Sequence, residues 1–205
     1  MPIVSFVTLG AKCRYCKKPL SWQYPTVEAA TGLLFVLSFF VLSSRGDVGF
    51  GTLLYWFFLI STLIVVSVVD LKFSLIPTTF VFFASLVSLF YNYSFLSSAG
   101  FIDHVVAAFV AAFFFLVIVL VTRGRGMGEG DIFLAFLMGM VLGVEATLVS
   151  IFLAFLIGAL VSVFLIILGK KHFGQTVPFA PFLVSGFFIS LFWAREIVSW
   201  YLMVY

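Results

Sequence analysis

Two aspartates stand where a mostly apolar chain gives way to short polar turns. Asp70 follows the apolar stretch 61–69, and Asp131 follows Gly128-Glu129-Gly130 and opens the next apolar run. Ionisable groups at membrane depth are costly and mark functional sites by default. Taken singly, each has an ordinary explanation. Asp131 suits a helix N-cap and the positive end of a helix dipole, whereas Asp70 reads as an interfacial loop acid at the less favourable negative end. Taken together they suit proton transfer: an ionised carboxylate activates a water while a protonated neighbour polarises a carbonyl. Helix position puts the charge on Asp131 and the proton on Asp70, within a pair that titrates as a unit. Gly124, Gly126, Gly128 and Gly130 let the backbone bend and let a substrate strand approach closely.

Other reactive side chains carry less. Cys13 and Cys16 supply two thiols where a tetrahedral zinc site takes four ligands, and in a reducing cytoplasm they form no structural disulfide. Asp103 and His104 read as a cap and its neighbour at the start of an apolar run, and His172, beside Lys170 and Lys171, as a solvated loop residue. Neither histidine has a Ser or Cys partner at a suggestive spacing, so a triad hydrolase is unsupported.

The elements that must hold the aspartates are membrane helices. Of 205 residues, 64% are hydrophobic and 9% charged, against about 45–50% and about 25% in soluble domains. Apolar runs at 26–44, 50–69, 76–93, 103–122, 131–144, 146–168 and 177–194 predict an all-α, polytopic transmembrane bundle of about seven spans, the fifth short for a crossing. Residues 1–25 read as a short cytoplasmic segment and 26–205 as the membrane domain. The opening residues lack the basic start of a signal peptide. With the N-terminus inside, nine of the eleven Lys and Arg lie on the cytoplasmic side, which the positive-inside rule favours and which puts Asp70 and Asp131 on one face. Basic residues scattered between apolar runs imply the lipid bilayer as partner and no nucleic acid. The tail 193–205 suits an outer interfacial helix.

Asp70-Leu71-Lys72 with Leu75-Ile76-Pro77, then Gly126-Met127-Gly128-Glu129-Gly130-Asp131 with Gly139 and Gly143 beyond, resembles the type IV prepilin leader peptidase family, membrane aspartic proteases of the Gly-x-Gly-Asp type. Cys13-Arg14-Tyr15-Cys16, Ser21-Trp22-Gln23-Tyr24-Pro25 and Glu28 resemble its N-terminal portion. Pro178-Phe179-Ala180-Pro181-Phe182 with Gly186 resembles its last span. The resemblance implies catalytic Asp70 and Asp131, substrate-contacting Gly128 and Gly130, and removal of a short basic leader from a prepilin or pseudopilin at the inner membrane, in type IV pilus or type II secretion systems. It implies no cofactor for peptide cleavage.

Many members also methylate the new N-terminus with S-adenosylmethionine. Members commonly carry a preceding helix and a first Cys-x-x-Cys that this sequence does not show, which leaves methyl transfer and zinc open. Either two chains of a homo-oligomer share a metal through Cys13 and Cys16, or the pair is a relic or free thiols, the latter favoured. Phe133 stands where a lysine is common. Two rivals are an inactive paralogue acting in pilus or secretion-system assembly, and a small proton-coupled transporter, which predicts carboxylates nearer the bilayer midplane.

Overall fold

The computed structural model describes residues 2–46, 49–124, 126–169 and 177–203. Within them the only strand-like pairing is one isolated bridge, between Lys12 and Pro19. The helices are α1 (Pro2–Thr8), α2 (Gln23–Arg45), α3 (Phe50–Phe73), α4 (Thr78–Phe95), α5 (Ser98–Thr122), α6 (Glu129–Ile167) and α7 (Ala180–Met203). All but α1 are long and apolar enough to cross a membrane. Helix is the secondary structure that satisfies every backbone polar group of such a segment from within. Asp47, Arg125, Lys170, Lys171, His172 and Gln175 lie outside the described residues.

The chain forms two compact units, Met1–Ile64 and Val65–Tyr205, divided inside α3. In the first, Glu28 of α2 accepts the Ile3 N–H at 2.9 Å. This satisfies one of the free donors at the start of α1 and gives Glu28 a structural partner. Phe6 meets Trp22 edge to face at 4.9 Å. Residues 11–20 fold into a tight knuckle, with Cys13 N–H donating to Lys18 O at 2.9 Å and Leu20 N–H to Ala11 O at 2.8 Å.

The second unit turns on Gly143. It interrupts the 39-residue α6 with φ 76° and ψ 177°, a conformation essentially reserved for glycine. Along α5, Ala107–Ala108 and Phe109 meet Gly139 and Phe136 before the interruption. The same stretch of α5, from Ala107 to Phe114, shares a cavity with Val144 through Phe155 after it. Sequence order against α5 therefore reverses at Gly143, and α6 is two antiparallel arms. At 1.5 Å per residue the arms are about 21 Å and about 36 Å long, matching the short fifth and full sixth runs of the sequence. The all-α fold of about seven spans is realised in this way.

The reversal strands backbone groups that lipid cannot satisfy. Side chains from other helices take them. Asp103 Oδ2 accepts the Val144 N–H at 3.1 Å, and Met140 O receives Asn92 Nδ2 at 2.5 Å and lies 2.9 Å from His104 Nδ1. A carbonyl only accepts, so His104 carries its proton on Nδ1. Asp103 and His104 thus do not cap their own helix, as sequence suggested. That cap is Ser97, whose Oγ accepts the Gly100 N–H at 3.3 Å, and Asp103 caps the second arm of α6 instead.

Small residues let the helices meet closely. A Cβ on Gly139 would stand 2.5 Å from the backbone of Ala107 and Ala108, and one on Gly186 of α7 2.5 Å from Ser150 O on the second arm. Backbone contact through small residues is how apolar helices associate where no hydrophobic drive separates them from lipid. Finally, α7 continues unbroken through Trp193, Arg195 and Glu196 to Met203, so the C-terminal tail extends the last span rather than forming a separate interfacial helix.

Candidate active site

Asp70 lies in the last turn of α3. The helix ends where Ser74, at φ 50°, turns left-handed and donates its N–H to Asp70 O at 2.8 Å. Pro77 then fixes the start of α4. Asp131 sits in the first turn of α6 behind Gly128, and its Oδ2 reaches back to accept the Gly128 N–H at 3.2 Å. This is the returning half of a capping box, so Asp131 ties down a helix start without being the N-cap residue itself.

The structure brings the two carboxylates together. Both are buried, each with only 5% of its surface exposed. Both line one cavity of about 670 Å³ with Gly128, Gly130, Phe133 and Phe179, within electrostatic reach of each other. Asp70 Oδ2 accepts the N–H of Ala180 at 3.1 Å, and Ala180 is the first residue of α7, where N–H groups have no partner in their own helix. Asp131 Oδ1 is buried with no hydrogen-bond partner. Buried carboxylate oxygens are otherwise satisfied in folded proteins, so this one is positioned to hold a water or a substrate donor.

This geometry offsets part of the asymmetry read from helix ends. Asp70 does close the C-terminal turn of α3, but it also faces the N-terminus of α7, and each carboxylate accepts one backbone N–H at a helix start. Ala180 has no polar side chain to mark it in the sequence. The available signal was the pair Pro178 and Pro181 around it: Pro181 has no N–H to offer, which leaves Ala180 and Phe182 as the nearest donors, and Phe182 N–H bonds Phe179 O at 3.0 Å.

Of the two motif glycines, Gly130 has a use inside the fold. A Cβ there would stand 2.7 Å from Ile76 Cβ, so its bareness lets α6 start against the connection between α3 and α4 that carries the Asp70 turn. Gly128 is freer, its missing Cβ 3.6 Å from Asp131 Oδ2. Gly124, with φ 70°, and Arg123, with φ 51°, end α5 in a left-handed pair that leads the chain toward the cavity.

Cys13 and Cys16 are free thiols. The backbone N–H groups of Cys16 and then Tyr15 point at the Cys13 sulfur and hold its thiol below the usual value. Among the described residues no group of three or more His, Cys, Asp or Glu gathers as a metal site. Two thiols alone do not fit a closed tetrahedral zinc centre.

Comparison with known proteins gives the family. The profile described as Type IV leader peptidase family matches residues 57–163, which contain both aspartates. The profile described as Bacterial Peptidase A24 N-terminal domain matches residues 1–42. A protein of Bacillus subtilis named prepilin leader peptidase/N-methyltransferase is 32% identical, over 98% of this chain and 79% of its own length. Proteins of the same name from Aeromonas hydrophila and Pseudomonas aeruginosa are each 31% identical, over 98% of this chain and 69% of theirs. No solved structure gives a significant match. The chain belongs to the type IV leader peptidase family.

Proposed function

We propose that this leader peptidase is an aspartic endopeptidase in which Asp70 and Asp131 act as one unit around a water. The observation that carries this reading is the pair itself: two buried carboxylates from different helix ends lining one cavity, with Asp131 Oδ1 left free. One carboxylate, ionised, takes a proton from the water as its oxygen attacks the scissile carbonyl carbon. The other, protonated, gives its proton to the carbonyl oxygen. When the tetrahedral species collapses, the C–N bond breaks, the departing amine takes up the proton first removed from water, and a diol hydroxyl returns a proton to the second carboxylate as the C=O bond re-forms. The substrate is the leader junction of a prepilin or pseudopilin, by the name its relatives bear. The site sits at the cytoplasmic edge of the inner membrane, with the N-terminus inside, by the distribution of Lys and Arg.

Both aspartates occupy helix ends rather than helix centres, in the last turn of α3 and the first of α6. This favours interfacial hydrolysis over a midplane proton relay. The relatives' name includes methyl transfer, for which S-adenosylmethionine is the donor. The cavity between α5 and the second arm of α6 does not fit that donor, because its lining is aliphatic and aromatic except for Thr147, and one hydroxyl cannot satisfy a carboxylate, an amine and a ribose.

The test is leader cleavage per folded molecule for wild type, Asp70→Asn, Asp131→Asn and the double variant. Either single change should remove most turnover, and the double should cost little more than one, because groups acting as a unit are non-additive. Near-normal cleavage by a folded single variant would remove that residue from the mechanism.

A further inference from the structure

The cavity between α5 and the second arm of α6, of about 360 Å³, is lined by neither aspartate. Its floor is narrow, with Ala107, Ala111 and Thr147 almost wholly buried, whereas the walls Val110, Phe114, Leu148 and Phe152 are 44–66% exposed. Phe114 and Phe155, edge to face at 6.3 Å, close one end. Both helices are long and apolar enough to cross a membrane, so the open walls face hydrocarbon.

One lining residue is polar. Hydroxyls within these helices commonly donate one turn back, as Ser85 does to Val81 O at 2.9 Å and Ser88 to Ala84 O at 2.8 Å. Thr147 does not: the residue is 3% exposed and its Oγ1 has no partner. A buried hydroxyl without an acceptor costs free energy, and the other lining side chains are aliphatic or aromatic, so within the slot an acceptor has to come with the occupant. Ser150 and Ser190 also lack partners but do not line it.

The dimensions select the occupant. A helix about 10 Å wide, rising 1.5 Å per residue, fills about 120 Å³ per residue, so the slot would hold about three residues of one. It is long and thin instead: Val144 to Phe155 spans about 16 Å, close to half of the roughly 30 Å hydrocarbon core. Its polar end, at Thr147, lies one turn from the reversal at Gly143, and the rest is apolar. We propose that the slot holds one acyl chain of a bilayer phospholipid, entering at the reversal, with its ester carbonyl accepting from the Thr147 hydroxyl. Exposed Asp103 and Glu145 flank Val144 at that end, and neither 98–110 nor 140–155 contains Lys or Arg, which favours an ammonium headgroup over an anionic one.

The experiment uses the purified full chain, delipidated in detergent, with phosphatidylethanolamine carrying a photoreactive diazirine in one acyl chain. Labelled peptides should concentrate in 107–114 and 144–155, and phosphatidylglycerol with the same chain should label them less. Thr147→Val keeps the shape and removes the hydroxyl, so labelling there should fall about 2–10-fold, the worth of one neutral hydrogen bond. Val110→Trp, which fills the slot from its exposed wall, should abolish it. Ser190→Ala, an orphaned hydroxyl outside the slot, should change nothing. In lipid-free detergent Thr147→Val should melt at or above the wild-type temperature, since it removes an unsatisfied buried group, yet gain less than wild type when phosphatidylethanolamine is added. A purely structural threonine would not produce that opposition.

Labelling spread evenly over the exposed faces of all helices, or lowered as much by Ser190→Ala as by Thr147→Val, would overturn the site. So would displacement of the lipid label by an apolar helical peptide or by a second copy of this chain, which would give the groove to protein. Equal labelling by phosphatidylglycerol would overturn the headgroup assignment.

Discussion

At the scale of single residues, the two motif glycines separate by what surrounds them. Gly130 already touches Ile76, whereas Gly128 has only ordinary contact distance around its Cα. Gly130→Ala should push the start of α6 off the α3–α4 connection, lowering thermal stability and cleavage together. Gly128→Ala should fold normally and lower kcat/KM alone if a substrate strand passes over it. Melting temperature and cleavage of the same preparations check this, and a Gly128→Ala enzyme with full kcat/KM would end its substrate role. At the cysteine knuckle, the N–H groups of Cys16 and Tyr15 favour the Cys13 thiolate. A lowered pKa means the reactive form appears at lower pH, so in a Cys16→Ser background, which keeps both backbone donors, iodoacetamide labelling of Cys13 should be half-maximal below the roughly 8.5 of a free thiol. Half-maximal labelling at or above that value would contradict the backbone geometry.

At the scale of elements, the hairpin within α6 depends on a few groups at the end remote from the aspartates. Gly143→Ala would place a side chain against Asp103 and His104 and force an alanine into a glycine-only conformation, at a cost of about 1–3 kcal/mol. Asp103→Ala should cost less, because it removes only the side-chain acceptor of the Val144 N–H. Denaturant unfolding in detergent should rank the two in that order. Cleavage should fall with Gly143→Ala although the residue is remote from the cavity. The second arm returns the chain toward α7, whose first N–H holds Asp70, so misplacing that arm loosens the aspartate pair. Equal stability of wild type and Gly143→Ala would mean that the reversal does not depend on this residue.

At the scale of the whole molecule, the helix order of the second unit sets which ends share a side. Within Val65–Tyr205, the connection after Asp70, the glycine turn before Asp131 and the start of α7 meet at one cavity. Asn92, Asp103 and Gly143 gather at the opposite end. Reporter fusions at Lys72 and Gly126 should therefore report one compartment, the cytoplasm by the charge rule, and fusions at Asn92 and Glu145 the other. Fusions at Lys72 and Gly126 that reported opposite sides would break the shared site.

How much of this was legible beforehand follows from the range of the forces involved. Apolar run length, local along the chain, was enough for an all-helical membrane protein of about seven spans and for the short fifth segment. Two isolated carboxylates in so apolar a chain, with the order of motifs around them, were enough to single out Asp70 and Asp131. Tertiary structure alone decided three things. It showed that Asp103, His104 and Asn92 cap a reversal in another helix, that Gly130 serves a contact with Ile76, and that Asp70 is held by the free N–H of Ala180, 110 residues away in sequence. Each is a hydrogen bond or a close approach between groups far apart in the chain. Its partner is chosen only when packing brings helix ends together, because the need to satisfy a stranded backbone group names a chemistry but not a residue.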